Sequence, residues 1–297
     1  MKIGVMGAGA VGSYYGAMLA RAGHEVTLVG RAPFVERVQG NGLWLTSAGR
    51  DIQVQARATT DAAALADCDA ILFCVKSSDT ESAGQLLAPV LRPDCVVLSF
   101  QNGVDNPERL AAVLGRAVVP VAVYVGVEMS GPGHVRHLGR GQIIMGQFEG
   151  GTALARIFAA AGIPAEVSAQ ARVAQWQKFL TNCAYNALSA ITGLQYGTLM
   201  QVPGITRVMT DVVTECVAVA QALGVPLTLD MKPILAIAEA MPGQWSSTAQ
   251  DLARGRRTEI GYLNGYIVRK GVELGLPTPV NAVLLALVQA RESAPQG

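Results

Sequence analysis

Met1-Lys2-Ile3-Gly4-Val5-Met6-Gly7-Ala8-Gly9-Ala10-Val11-Gly12 opens the chain. The apolar run Ile3 to Met6 reads as a strand. The small-residue pattern through Ala17, Met18, Leu19 and Ala20 reads as a helix. Between them stand Gly7, Gly9 and Gly12, spaced G-x-G-x-x-G. In that setting Gly7 permits a tight turn, Gly9 lets the backbone approach a ligand, and Gly12 lets the helix pack close to the strand. Free amides at the positive end of a helix dipole suit a pyrophosphate. The stretch therefore predicts a dinucleotide-binding turn, with Gly7, Ala8, Gly9, Ala10, Val11 and Gly12 as its cofactor-binding residues. The alternative is a glycine-rich structural turn, and the strand before and helix after argue against it.

His24-Glu25-Val26-Thr27-Leu28-Val29-Gly30-Arg31 reads as the next strand of the same unit. About 20 residues past the glycines, a chain that prefers NAD carries Asp or Glu for the ribose hydroxyls. Here Gly30 and Arg31 stand at that place. No carboxylate repels a 2′-phosphate, and a guanidinium is available to bind it in a fork. The expected cofactor is NADPH, with Arg31 on the 2′-phosphate.

The length of 297 residues suggests two domains. Hydrophobic residues make up 51% and charged residues 15%, so a large core is available. A net charge of +1 with no basic block gives no footprint for nucleic acid or a membrane surface. No window reaches the ~20 apolar residues of a membrane span. The longest apolar stretch, Val118 to Val127, contains Pro120 and suits a buried strand. The cofactor strand starts at Lys2, which does not fit a signal peptide. Cys68, Cys74, Cys95, Cys183 and Cys216 show no CxxC pairing and read as reduced core thiols, the pattern of a cytoplasmic protein. His134 and His137 lie in a glycine-rich segment without a third ligand in pattern, so no metal site is expected.

The first half alternates strands and helices. Ala70 to Val75, Cys95 to Phe100 and Val118 to Val123 read as buried parallel strands, with helices at Asp79 to Leu87 and Asn106 to Leu114. His134 to Leu138 and Gln142 to Gly146 suggest a hairpin at the sheet edge, and Ile163 to Val167 a last strand. From about Ser168 long helical patterns take over: Ala171 to Ile191, Gly204 to Leu223, Met231 to Glu239, Trp245 to Leu252, Thr258 to Leu274 and Asn281 to Arg291. The fold class is α/β: a doubly wound Rossmann-type sheet over residues 1–167, then an all-α domain over 168–297. A cleft between two such domains is the natural place for a small substrate. A homodimer through the helical half is compatible with the sequence, though no feature demands one.

The first helix of the second half carries an unusual stripe. At about 100° per residue, Lys178, Asn182 and Asn186 follow one edge of a helix that is otherwise mostly apolar. Asparagine is a poor interior helix residue, so two at this spacing invite a chemical reason. Carboxamides position carbonyl or carboxylate groups. A lysine protonates a carbonyl oxygen as hydride reaches the carbon, and stabilises alkoxide charge. The alternative is a solvated helix face. Two more candidates follow strand ends: Lys76 after Val75, and Gln101-Asn102-Gly103 after Phe100. Ligands of open parallel sheets bind beyond the carboxyl ends of strands, which places Lys76 and Asn102 at the nicotinamide or substrate. A solvated loop and an ordinary turn are the plainer readings. Thr258 suggests a helix cap with Glu259 in the first turn, and Ser247 suggests another cap.

These elements together resemble the ketopantoate reductase (2-dehydropantoate 2-reductase) family. The matching pieces are the glycine motif, Arg31, Lys76, Gln101-Asn102-Gly103, Lys178-x-x-x-Asn182-x-x-x-Asn186, Ser246-Ser247 with Gln250-Asp251, and Thr258-Glu259-Ile260 through Asn264-Gly265. The resemblance runs along nearly the whole chain. It implies NADPH-dependent reduction of 2-dehydropantoate to (R)-pantoate, a step towards coenzyme A. It implies Lys178 as general acid and Glu259 as acceptor of the substrate hydroxyl and partner of Lys178. Asn182, Asn186 and Ser247 would hold the substrate, and Asn102 and Lys76 would lie near the nicotinamide ribose and substrate. Ala187 and Gly261 depart from the family pattern, where proline and an acidic residue are common. Both leave room for a reductase of another 2-oxo acid. A third reading, an NADPH sensor without turnover, does not need the Lys178, Asn182, Ser247 and Glu259 set.

Overall fold

The computed structural model describes residues 1–294, so the last three residues of the expected second domain lie outside it. Two compact units divide between Gln175 and Trp176.

The N-terminal unit begins with β1 (Lys2–Met6), α1 (Ala10–Arg21), β2 (Glu25–Val29) and α2 (Ala32–Asn41). It continues through β3 (Leu43–Ser47), β4 (Arg50–Val54), β5 (Arg57–Thr59), β6 (Ala70–Phe73), α3 (Thr80–Leu87), β7 (Val96–Ser99) and α4 (Asn106–Leu114). Then come β8 (Val119–Gly131), β9 (His134–Met145), α5 (Gly151–Ala160) and β10 (Ala165–Val167). Strands β5, β2, β1, β6, β7 and β8 lie side by side in that order, each parallel to its neighbour. This is the order of a doubly wound dinucleotide fold, and it reverses between β1 and β6.

Side chains alternate between the faces of this sheet, as the strand period of two requires. Ile3, Val5, Leu28, Leu72 and Leu98 join one apolar cluster with Tyr15 and Phe158. Met6, Val29, Ile71, Phe73 and Val97 join another with Leu87 and Leu110. Both faces are covered, which explains the unbroken apolar runs of β6 and β7.

The expected hairpin of His134–Leu138 with Gln142–Gly146 is not formed. Both segments belong to the single strand β9, whose antiparallel partner is β8. The chain reverses instead at Pro132-Gly133, with Gly133 at φ 66°. Gly139, Arg140 and Gly141, which read as a turn, take φ values of 149°, 61° and 138° and bend the strand where its register shifts. A hairpin of β3 and β4, not foreseen from the sequence, adds to β9 beyond it.

The helix α6 (Ala171–Thr192) runs from the end of the first unit into the second. The second unit adds α7 (Tyr196–Leu199), α8 (Ile205–Ala222), α9 (Lys232–Ala240), α10 (Ser247–Ala253), α11 (Asn264–Leu274) and α12 (Pro279–Ser293). Trp176, Phe179 and Tyr266 pack edge to face, with ring centroids 5.3 to 6.1 Å apart. The expected helix from Thr258 to Leu274 is broken. Residues Ile260–Tyr262 make a tight 3-10 turn, and Leu263 (φ −106°, ψ −104°) precedes the true start at Asn264. The Thr258 hydroxyl accepts from the Ile260 amide at 3.2 Å, capping that turn.

The opening turn rests on close contact. Gly7 sits at φ 102°, and a Cβ there would lie 2.6 Å from the Val75 amide nitrogen. A Cβ on Gly12 would lie 2.3 Å from the Gly7 carbonyl oxygen. Backbone on both sides leaves no flexible side chain to yield. Gly12→Ala should destabilise the fold by about 1–3 kcal/mol, the usual cost of overpacking. Urea unfolding checks this; an unchanged midpoint would mean that α1 does not pack on β1 this closely.

Candidate active site

The first site lies at the carboxyl edge of the parallel strands. The Gly7 and Ala8 amides both donate to the Val29 carbonyl, at 3.1 and 2.9 Å, and the Gly9 amide donates to Gly7 at 2.9 Å. The turn thus consumes its own donors, and the amides left for an anion are those of the first turn of α1, Ala10 to Gly12. Gly9 caps this helix without a side-chain hydrogen bond, and its first turn holds no acidic residue. A Cβ on Gly9 would meet nothing within 4 Å. An uncapped helix start beside open space fits a pyrophosphate.

Arg31 follows the end of β2, exposed, and its guanidinium has no hydrogen bond or ion pair with the described residues. Lys76, also exposed, follows β6 and begins a short 3-10 turn, Ser77–Asp79. Asn102 follows β7 and is half-buried. Gly7–Gly12, Arg31, Lys76 and Asn102 therefore cluster at the carboxyl ends of four strands, β1, β2, β6 and β7.

Sequence reasoning missed what holds two of these loops. Ser77, Thr80, Gln101 and Asn106 are buried polar residues joined by hydrogen bonds. The Ser77 hydroxyl donates to the Asn102 carbonyl at 3.1 Å, and the Gln101 amide donates to Thr80 at 2.8 Å. Arg109 pairs with Glu81 through two contacts of 2.7 Å and donates to the Ser77 carbonyl at 2.9 Å. The Arg109 hydrogen bonds hold the Glu81 carboxyl below its usual range. The one available signal was the density of short polar residues directly after two apolar strands.

The second site is built on α6. Lys178 and Asn182 are half-buried, and Asn186 is 2% exposed. Burial pushes the Lys178 ammonium down from 10.5 to about 8, and the negative charge of Glu259 acts against that shift. The Asn186 carboxamide donates to the Ser247 hydroxyl at 3.3 Å. The cap of α10 is Ser246 rather than Ser247: its hydroxyl accepts from the Ala249 amide at 3.0 Å and donates to the Asn186 carbonyl at 3.2 Å. The Ser246 amide donates to Ser189 at 3.3 Å. Ser246 and Ser189, both buried, thus tie α10 to α6 and leave the Ser247 hydroxyl to meet Asn186. Within this unit the structure brings Lys178 to Glu259 and Asn186 to Ser247. Asn182 lies one turn from Lys178 and one from Asn186 on the same helix.

His134 and His137 are engaged in the sheet: His134 Nε2 lies 2.7 Å from the Thr46 hydroxyl, and His137 Nδ1 lies 3.2 Å from Ser47. Among the described residues no group of three or more His, Cys, Asp or Glu could hold a metal, and no helix is long and apolar enough to cross a membrane.

The chain is similar to known proteins along nearly its whole length. The family described as ketopantoate reductase PanE/ApbA matches residues 3–150, and its C-terminal counterpart matches residues 170–292. A 2-dehydropantoate 2-reductase of Halobacterium salinarum is 34% identical, covering 97% of this chain and 98% of the relative. A crystal structure of a PanE/ApbA-family ketopantoate reductase from Ralstonia eutropha JMP134 is 53% identical, with a TM-score of 0.95 over 98% of both chains. A D-mandelate dehydrogenase, solved with NADH and anilino(oxo)acetate, superposes with a TM-score of 0.91 at 27% identity, covering 98% of each chain.

The electrostatics around Lys178 make a direct prediction. Its amine should titrate near 8 by carbon-13 NMR of the lysine side chain. Glu259→Gln removes the charge that favours the ammonium, so the titration should move lower still. A midpoint near the ordinary lysine value in the unaltered protein would contradict the burial described here.

Proposed function

The chain belongs to the ketopantoate reductase family, and from that membership we propose that it reduces 2-dehydropantoate to (R)-pantoate with NADPH. The chain is an oxidoreductase of this type; the substrate, the choice of dinucleotide and the roles of single residues are the proposal. The observation that carries it is Lys178, half-buried on the same helix as Asn182 and Asn186, with the negative charge of Glu259 acting on its amine.

Bound NADPH supplies the hydride. Gly7, Ala8, Gly9, Ala10, Val11 and Gly12 form the cradle for its pyrophosphate, through the first-turn amides of α1 and the open face of Gly9. Arg31 binds the 2′-phosphate. Lys76 and Asn102 hold the ribose and substrate side of the nicotinamide. Lys178, protonated at neutral pH, gives its proton to the carbonyl oxygen of the 2-oxo acid. Glu259 accepts a hydrogen bond from the substrate hydroxyl and keeps Lys178 oriented and charged. Asn182, Asn186 and Ser247 hold the remaining polar groups of the substrate. The product leaves as the 2-hydroxy acid and Lys178 regains its proton from solvent. The five cysteines are free, four of them buried, which fits a cytoplasmic setting.

The likeness to D-mandelate dehydrogenase supports a second reading, reduction of a different 2-oxo acid on the same scaffold. NADPH oxidation over a panel of 2-oxo acids separates the two. Ketopantoate should give the highest kcat/KM; a better acid elsewhere in the panel would replace it as substrate. Reduction should also weaken above about pH 8, because Lys178 is then increasingly neutral and has no proton to give. A flat profile from pH 7 to pH 9 would remove the role assigned to that amine. Arg31→Ala should raise KM for NADPH while leaving NADH nearly unchanged, a loss of about 1.5–3 kcal/mol for a charged hydrogen bond. Equal losses for both dinucleotides would contradict the assignment.

A further inference from the structure

Asn106 opens α4 and is 1% exposed. Its carboxamide makes four hydrogen bonds. Nδ2 donates to the Ser77 hydroxyl at 3.0 Å and to the Asn102 carbonyl at 2.5 Å. Oδ1 accepts from the Thr80 hydroxyl at 3.0 Å and from Arg109 at 3.0 Å. A primary carboxamide has two donor hydrogens and two acceptor lone pairs, so every one is used. Three of the partners lie on the two segments that follow β6 and β7, and the fourth, Arg109, lies on α4 itself. Ser77 and Thr80 follow β6, immediately after Lys76; Asn102 follows β7. One side chain therefore ties together the two loops that lie beside the point where the strand order reverses.

We propose that Asn106 is a positioning residue of the reductase, fixing the Asn102 loop against the Lys76 loop through its donor edge. The inference rests on the functional reading of Asn102 and Lys76 given above. The donor edge is the half that matters. Together with the Ser77 hydroxyl it puts two donors on the Asn102 carbonyl, which pins the backbone from which the Asn102 side chain projects. The acceptor edge faces Thr80 and Arg109 and anchors Asn106 itself. Arg109 is in turn held by Glu81, so the anchor is rigid.

The two edges can be separated chemically. Asn106→Asp keeps an oxygen towards Thr80 and Arg109, and gains an ion pair with that arginine. It puts a second carboxylate oxygen where the two donor hydrogens were, facing the Asn102 carbonyl. Repulsion then loosens the Asn102 loop while α4 stays anchored.

The test compares Asn106→Asp, Asn102→Ala and the double variant. Without any cofactor, hydrogen–deuterium exchange of residues 101–105 should speed up in Asn106→Asp, with the thermal midpoint close to that of the unaltered protein. At saturating NADPH, kcat/KM for 2-dehydropantoate should fall by about tenfold or more, in line with the cost of a misplaced group. The double variant should be no worse than Asn102→Ala alone, because both changes act through one group. Unchanged exchange in residues 101–105 would overturn the proposal, as would losses that multiply in the double variant. Normal turnover by Asn102→Ala would instead defeat the role given to Asn102, and with it any positioning through that residue. If Asn106→Asp does not fold, Asn106→Ser retains a hydroxyl donor and should show the same exchange signature to a smaller degree.

Discussion

The amine of Lys178 is held between two opposing effects. Removal from water favours the neutral form, and the negative charge of Glu259 favours the ammonium. Desolvation is the larger, and the balance falls at about 8. A lysine with its ordinary value would hold its proton too tightly to give it up readily near neutrality. One far lower would carry no proton to give. The helix α6 makes this balance possible, because its apolar arc anchors it in the core through Trp176, Phe179 and Cys183. Asn186 then reaches Ser247 from the same helix, and Ser246 and Ser189 keep α10 in place to receive it.

A comparable economy governs the N-terminal unit. Close backbone contact at Gly7 and Gly12 brings α1 against β1, and the turn satisfies its own amides through Val29. What remains outward is the start of a helix with no side-chain cap and open space at Gly9. The reversal of strand order between β1 and β6 places Lys76 beside that turn, and β7 brings Asn102 next to Lys76. The buried hydrogen bonds of Asn106 then join the Ser77 and Asn102 loops.

Much of this was legible in the sequence because the signals are local. The glycine motif is flanked by its strand and helix, and β6 and β7 are apolar runs because both sheet faces are covered. Helix α6 announces itself by its long periodic pattern, and the Lys178-Asn182-Asn186 stripe by two asparagines, which a helix interior rarely wants. The failures have physical causes. The β3–β4 hairpin turns at Ala48-Gly49, with φ values of 50° and 73°; an alanine in that conformation gives no turn signal. Gly139 and Gly141 signal a turn but bend a continuous strand. The segment after Thr258 has helical periodicity, yet Leu263 interrupts it before Asn264. The Asn106 network was hidden because its members lie up to 32 positions apart in sequence and meet only through the pairing of β6 with β7.

The central claim is that the Lys178 amine delivers the proton, and single-turnover hydride transfer in Lys178→Ala tests it most directly. With NADPH preloaded, oxidation by ketopantoate should slow by about 10²-fold or more, the scale of general acid catalysis, while NADPH affinity stays unchanged. Transfer at close to the unaltered rate, with the dinucleotide fully bound, would contradict the account.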